Sequence, residues 1–470
     1  MNTIHVIGIC GKGMSAVAIM LKQAGWRVTG SDAGVFDPVA SYLKQHDQDF
    51  FASHDPSNIP IDVDIIMIGK HAKLTPETNE EVAQAFAMQA AGDVKIMSFP
   101  EVLSQFLTNT NNYVVVGSYG KSTCTALITH VLKQSGRDPS YFIGAFPKQY
   151  DMNAYRGGGN EFVLEGDEYP SANFDTHSKF LWYQPSHILF TSGEHDHVNV
   201  FPTQEAYLAP YQELFTLLPS EGKVIACSDN PHTTSIAPAG HVTYGVSSTE
   251  ADYGVQDITY GETTSFTVTH KGRDLGICKT SLLGEFNVQN ILGVIAFLLE
   301  TTDLSFNEIT QSIASFTGVK RRLDRLNISS NTPVFEAYGS SYAKAKAAIE
   351  AIQLHFPNQP LVIVFEPHTF SWRNPNMTDW YHDVFAGAEE VHVVMPPAAH
   401  GKEVSGQLAP EKIEELVAQG EHPPKVIQTY NSGDECFQAI TAVDRDNHVF
   451  LLITSGDLQG LSKQIPEHYK

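Results

Sequence analysis

Short apolar runs alternate along the chain with longer stretches in which apolar positions recur at helical spacing. Near the start the runs are IHVIGIC, RVTGSD, DIIMIG and KIMS, with GMSAVAIMLKQAG between the first two. Such runs suit strands covered on both faces and the helical stretches supply the cover, so a parallel sheet flanked by helices is predicted. A second series begins at Tyr113 and continues through EFVLEGDE (Glu161–Glu168), HILFTSG (His187–Gly193) and KVIACSDN (Lys223–Asn230). From about His241 to Thr280 the pattern changes to period-two stretches such as TSFTVTH, which predict a β-rich insertion, and a helix resumes near Asn287. The third series is VFEAYG, PLVIVFEP, EEVHVVMP, KVIQTY and HVFLLITSG, separated by helical stretches such as AKAKAAIEAIQLHF and DECFQAITAV. The expectation is an α/β protein of three domains spanning 1–109, 110–323 and 324–470.

Composition narrows the class further. A hydrophobic content of 42% with 18% charged residues fits a soluble globular protein, and no apolar run is long enough to cross a bilayer, so no membrane insertion is expected. MNTIHVIGICGKG enters a strand-and-glycine pattern directly, without the features of a secretory signal, and a cytoplasmic location is the expectation. The net charge of −23 repels polyanions, which argues against nucleic acid as a partner. Five scattered cysteines without Cys-x-x-Cys spacing predict neither a disulfide framework nor a zinc site. A monomer or homodimer is expected.

Candidate chemistry collects where apolar runs end. VVVGSYGKST (Val114–Thr123) stops at Gly117 and continues through Gly120, Lys121 and Ser122 into a helical pattern. A strand that feeds a glycine turn and then a helix leaves backbone N–H groups free at the helix start, and Lys121 and Ser122 beside them predict binding of ATP or GTP phosphates. The longer phosphate-loop pattern has a further glycine where Val115 stands, so only the shorter Gly-x-x-Gly-Lys-Ser form is present. A triphosphate calls for Mg2+, a hard cation that takes oxygen ligands. Ser122 offers a hydroxyl, Glu165 and Glu168 end the next apolar run, and Glu194, His195, Asp196 and His197 end the one after. At the carboxyl edge of one parallel sheet, these groups would face the same crevice; solvated strand ends are the plainer alternative. In the first domain Gly8, Gly11 and Gly13 occupy the first strand-to-helix turn, and Asp32 follows the second strand. Their Gly-x-x-Gly-x-Gly spacing departs from the dinucleotide fingerprint, which leaves NAD and other phosphorylated ligands both open. KRRLDR (Lys320–Arg325) is either a solvated hinge or a cation source for a γ-phosphate, and FEPHTFSWR offers His368 and Arg373 at another strand end.

Together these motifs resemble the Mur ligase family, ATP-dependent enzymes that join amino acids or peptides to a UDP-N-acetylmuramoyl carrier through amide bonds. The resemblance covers nearly the whole chain: IHVIGICGKGMSAVAIML, RVTGSD, GSYGKST, EGDEYPSANFDTHSKF, EHDHVNVF, GEFNVQN, GVKRRLDR, VFEPHT and LLITSGDLQG stand in family order. It is most similar to the members that load a recycled tripeptide, L-alanyl-γ-D-glutamyl-diaminopimelate, or free L-alanine. The resemblance implies a Rossmann-like N-terminal domain for the UDP-sugar, a central P-loop ATPase-type α/β domain with the β-rich insertion, and a Rossmann-like C-terminal α/β domain that closes on ATP and the amine. It implies ATP and Mg2+ as cofactors, and UDP-N-acetylmuramate with an amino acid or tripeptide as substrates, in peptidoglycan synthesis or recycling. Carried over by position, Gly117, Ser118, Tyr119, Gly120, Lys121, Ser122 and Thr123 form the phosphate loop, and Asn287, Asn290, Arg322 and Glu336 complete the ATP site. Lys121, Glu165, His197 and Arg322 are the implied catalytic set, with Ser122, Glu165 and His197 as metal ligands. Gly8, Gly11, Gly13, Met14, Ser31 and Asp32 would form the UDP-sugar pocket.

Departures from the family pattern bear on substrate. Ser118 and Tyr119 replace the Thr-His that precedes Gly-Lys. In VFEAYGSSYAKAK (Val334–Lys346), Glu336 keeps one acid of a pair, Ala337 replaces the other, and Ser340, Ser341 and Tyr342 replace His-His-Pro. Lys70 stands where an asparagine is often found near the sugar site. Three readings stay open: an ADP-forming ligase on UDP-N-acetylmuramate working through an acyl phosphate, a relative with another donor and acceptor, and a nucleotide-binding protein of the same fold without turnover.

Overall fold

The runs that are apolar at every position form the strands, because a strand covered on both faces needs no polar alternation. The computed structural model describes residues 2–34, 39–108, 111–197, 200–328, 330–397 and 408–470. Two compact units form: Met1–Gln256, Thr267–Cys278 and Gln289–Phe316 make the first, and Asp257–Phe266, Lys279–Val288 and Thr317–Lys470 the second.

The first unit opens with a parallel sheet of β1 (Thr3–Ile7), β2 (Arg27–Ser31), β3 (Ile65–Ile68) and β4 (Lys95–Met97) in the order β2-β1-β3-β4. Helix Lys12–Gln23 buries every residue from Met14 to Leu21, which its run of small and apolar side chains permits. A larger sheet follows, built from β5 (Asn111–Val116), β6 (Ser140–Phe142), β7 (Ala154–Tyr155), β8 (Glu161–Glu165), β9 (His187–Phe190), β10 (Val224–Cys227), β11 (Val242–Tyr244), β12 (Tyr253–Thr259), β13 (Thr264–His270) and β14 (Arg273–Thr280). Its order is β14-β13-β12-β11-β10-β9-β5-β8-β6-β7, parallel from β12 to β6. The chain leaves β5 for β6 and β8 on one side and then crosses to β9 on the other, so the carboxyl end of β5 is a topological switch point where a crevice opens. Strands β12 to β14 are the period-two insertion read from the sequence, and the chain passes between the two units within them. One buried cluster runs from Ile4 and Leu21 through Leu107 to Phe142, Phe190 and Ala226, so the two sheets of this unit share a core.

In the second unit β15 (Arg322–Arg325), β16 (Val334–Ala337), β17 (Leu361–Phe365), β18 (Glu390–Val394), β19 (Val426–Tyr430) and β20 (Val449–Ile453) pair in the order β15-β16-β20-β17-β18-β19. All but the antiparallel β15 run parallel. Alternate residues serve two separate cores: Ile363, Phe365, Leu451 and Ile453 pack on one face, and Val362, Val364, Phe450 and Leu452 on the other. The α/β class expected from the hydrophobic pattern is the class that forms. Among the described residues no helix is long and apolar enough to cross a membrane.

Candidate active site

Sheet register puts the candidate groups side by side. Val115 lies opposite both Glu165 on β8 and Leu189 on β9, so the three strands end together. Beyond β5 the chain turns at Gly117, with φ +132°, and again at Gly120, with φ +83°. A Cβ at Gly117 would collide with the Thr191 hydroxyl and the Ser192 backbone, and one at Gly120 with the Asn290 amide oxygen, so both positions need glycine. Gly120 caps helix Lys121–Gln134 without any side-chain hydrogen bond, which leaves the first-turn N–H groups to an anion. The loop is pinned to the end of β9 by Ser118 N donating to Ser192 O at 3.0 Å and Thr191 N to Val116 O at 2.9 Å.

Lys121 Nζ donates to the Gly117 carbonyl and to Glu168 Oε2, the latter at 2.9 Å. Glu168 is fully buried, and its other oxygen lies 3.1 Å from His197 Nε2 and 3.3 Å from the Tyr207 hydroxyl. Tyr207 also meets Ser118 Oγ at 3.0 Å and accepts from the Tyr211 hydroxyl at 2.9 Å, while His197 Nδ1 lies 2.9 Å from the Tyr169 hydroxyl. Next to this network Ser122 Oγ donates to Glu165 Oε1 at 2.9 Å, and Gly144 N donates to Glu165 Oε2 at 2.7 Å. Burial opposes the charge on Lys121, but the carboxylates of Glu168 and Asp167 outweigh it and hold the ammonium above its ordinary pKa. Burial likewise opposes the Glu168 carboxylate, and Lys121 prevails and keeps it below the usual range. Burial, with Asp196 and Glu194 nearby, pushes the Tyr119 phenol up to about 12, so it stays protonated.

Ser122 and Glu165 offer adjacent hard oxygens, the donor set Mg2+ prefers, with further ligands available from phosphate and water. Among the described residues no group of three or more His, Cys, Asp and Glu side chains is arranged to hold a metal. Both His197 ring nitrogens have protein partners, Tyr169 and Glu168. Thr123 is buried behind the loop, and Asn290 lies against Gly120 and accepts from Cys124 Sγ at 3.5 Å. Asn287, Arg322 and Glu336 belong to the second unit. There Asn287 Nδ2 donates to Leu283 O at 2.8 Å and the Arg322 guanidinium lies 5.0 Å from the Tyr338 ring centroid. Glu336 accepts from Ser462 Oγ at 2.8 Å, and its burial raises its pKa against the pull of Ser462 and Arg321.

The N-terminal glycine turn is a second strand end that feeds an uncapped helix start. Gly8, with φ +85°, and Ile9 both donate to Ser31 O, at 2.8 and 3.1 Å, and Gly11 begins helix Lys12–Gln23 with no side-chain cap. Asp32 accepts from Cys10 N at 2.9 Å and from Gly34 N at 2.8 Å. A Cβ on Gly13 would press on the Phe99 ring at 3.3 Å, and Met14 is buried against Gly11 and Gly69. The Ser31 hydroxyl points inward, donating at 2.6 Å to Glu81, which also meets His5 and His54 at 2.9 Å each.

Not all of the site is legible locally. Glu168 was visible as a strand-end carboxylate, but its pairing with Lys121 was not. Tyr207 lies on helix Gln204–Thr216, 89 residues from Ser118, in a stretch without any motif.

A switch-point phosphate loop with a lysine, a hydroxyl and carboxylates, beside a sheet with its own glycine turn, defines a nucleotide-phosphate-binding α/β protein. The model for the Mur ligase family catalytic domain matches residues 3–110, and that for the Mur ligase middle domain matches 115–298. The UDP-N-acetylmuramate–L-alanine ligase of Syntrophotalea carbinolica is 30% identical over 405 residues, covering 85% of this chain and 84% of the relative. The chain belongs to the Mur ligase family. The structure of the UDP-N-acetylmuramate–alanine ligase of Thermotoga maritima shares the fold, with a TM-score of 0.78 and 22% identity over 100% of this chain and 99% of that one. The UDP-N-acetylmuramate:L-alanyl-γ-D-glutamyl-meso-diaminopimelate ligase of Neisseria meningitides is 26% identical, with a TM-score of 0.61 over 68% of this chain and 100% of that one.

Proposed function

We propose that the chain is an ATP-dependent, ADP-forming amide ligase that activates the carboxylate of UDP-N-acetylmuramate and joins it to the amine of an amino acid or tripeptide, in cytoplasmic peptidoglycan synthesis or recycling. The observation that carries this reading is the pairing of Lys121 with Glu168 and of Ser122 with Glu165 at one uncapped helix start. The donor carboxylate and the γ-phosphate are both anions, so their approach needs concentrated positive charge. Lys121 supplies one such charge, and the first-turn N–H groups supply oriented dipoles. Mg2+ held by Ser122 and Glu165 would neutralise the triphosphate. Attack of the carboxylate oxygen on the γ-phosphorus expels ADP and leaves an acyl phosphate. The amine then attacks the acyl carbon, the C–O bond to phosphate breaks, and the amine releases a proton as the amide forms. Glu168 holds Lys121 in place through a short charged bond, and Tyr207, His197 and Tyr169 fix Glu168 in turn. On the donor side, the uncapped helix start after Gly11 suits the UDP diphosphate.

Phosphate release by purified protein, with UDP-N-acetylmuramate, ATP and either L-alanine or the tripeptide L-alanyl-γ-D-glutamyl-diaminopimelate, tests the reading. Release should require both the donor and one amine, and Lys121→Ala should abolish it. ATP binding without release under either pairing would refute this reading.

A further inference from the structure

Gly69, just past β3, lies against the donor-side turn: a Cβ on Gly8 would come within 3.9 Å of Gly69 Cα. The next residue, Lys70, extends from there over the ring of Tyr169, with Nζ 5.9 Å from its centroid. Lys179 approaches the same ring at 5.8 Å and Phe99 at 5.6 Å. Lys179 has a counter-ion, Asp167 Oδ2 at 2.5 Å. Among the described residues the Lys70 ammonium makes no hydrogen bond or ion pair; it lies over an aromatic ring, and the Asp167 carboxylate paired with Lys179 attracts it only electrostatically. A ring face steadies a cation without neutralising it, so the charge stays available to a ligand. Although Lys70 is exposed, partial desolvation of its ammonium and repulsion from Lys179 lower its pKa against the attraction of Asp167, so two lysines face one carboxylate here, an excess of one positive charge.

The position of this excess is informative. Tyr169 binds His197, His197 meets Glu168, and Glu168 holds Lys121. The two lysines therefore stand on the line of contacts from the glycine turn to the phosphate loop. We propose that Lys70, backed by Lys179, is a specificity-determining residue that takes an anionic group of the UDP-sugar donor, either its diphosphate or its lactyl carboxylate. This rests on the donor reading above.

Calorimetric titration of the full chain with UDP-N-acetylmuramate and with UDP-N-acetylglucosamine, which has the diphosphate but no lactyl carboxylate, tests this. Lys70→Met should weaken muramate binding by about 10- to 100-fold, the effect of losing a hydrogen bond to a charged group. Lys70→Arg should restore most of it, and thermal unfolding should stay at the wild-type temperature because Lys70 is exposed. Loss for both sugars supports the inference with the diphosphate as the group held, and loss for the muramate alone supports it with the carboxylate. Wild-type binding that Lys70→Met leaves unchanged overturns the inference and spares the donor reading. A wild-type chain that binds neither sugar overturns both.

Discussion

Replacing Glu168 by glutamine removes one charge from a buried site while keeping its shape. The carboxylate faces Lys121 at 2.9 Å, His197 at 3.1 Å and the Tyr207 hydroxyl at 3.3 Å, with no exposure to solvent. Breaking a buried ion pair by deleting one partner typically costs about 3–5 kcal/mol, because the remaining charge is stranded. Here Lys121 keeps the Gly117 carbonyl and the more distant Asp167 carboxylate, and the glutamine oxygen still accepts, so Glu168→Gln should lose about 2–4 kcal/mol. The pH dependence gives a sharper test. Glu168 is held below the usual carboxylate range, so its contribution is complete above the unfolded value of about 4.3 and disappears as pH falls through the lower folded value. Lys121 is held above its ordinary value, so its contribution is complete below about 10.4 and is lost as pH rises through the folded value. The gap between wild type and variant, measured by urea unfolding followed by circular dichroism, should be widest between those limits and narrow on both sides. A gap under about 0.5 kcal/mol at neutral pH, within the usual range of a surface substitution, would refute the reasoning. So would a gap of undiminished size in strong acid.

Gly120→Ala should cost about 1–2 kcal/mol for the left-handed backbone at φ +83°, plus the displacement of Asn290, and should abolish nucleotide binding in a titration, since the loop cannot keep its shape. Glu81→Gln removes the charge that His5, His54 and Ser31 share, which holds Glu81 down at about 2. It should destabilise the first unit by about 1–3 kcal/mol at neutral pH, and the loss in urea unfolding should fade as pH drops from about 4.3 towards 2.

Much of this protein was legible in its local sequence. Apolar runs such as VVVG, EFVLE and HILF became the neighbouring strands β5, β8 and β9, because covered strands require that pattern wherever they lie in a sheet. The phosphate loop was equally readable: Gly117 and Gly120 announce positive-φ turns, and Lys121 follows them at the helix start. Short-range sterics and burial periodicity decide such features within a few residues, so they survive translation from a list of letters. The partners of those residues did not. Ser122 meets Glu165 across 43 residues and Lys121 meets Glu168 across 47, contacts created by strand order and register. Ser31, which the resemblance assigns to the UDP-sugar pocket, donates its hydroxyl to Glu81, 50 residues on, and Lys70 gains its place over Tyr169 through the packing of two sheets in one unit. Sequence alone determined which backbone conformations and chemical groups were present. Only the tertiary structure decided which charges neutralise one another and which remain for a ligand, because that depends on distances between elements that no local pattern encodes.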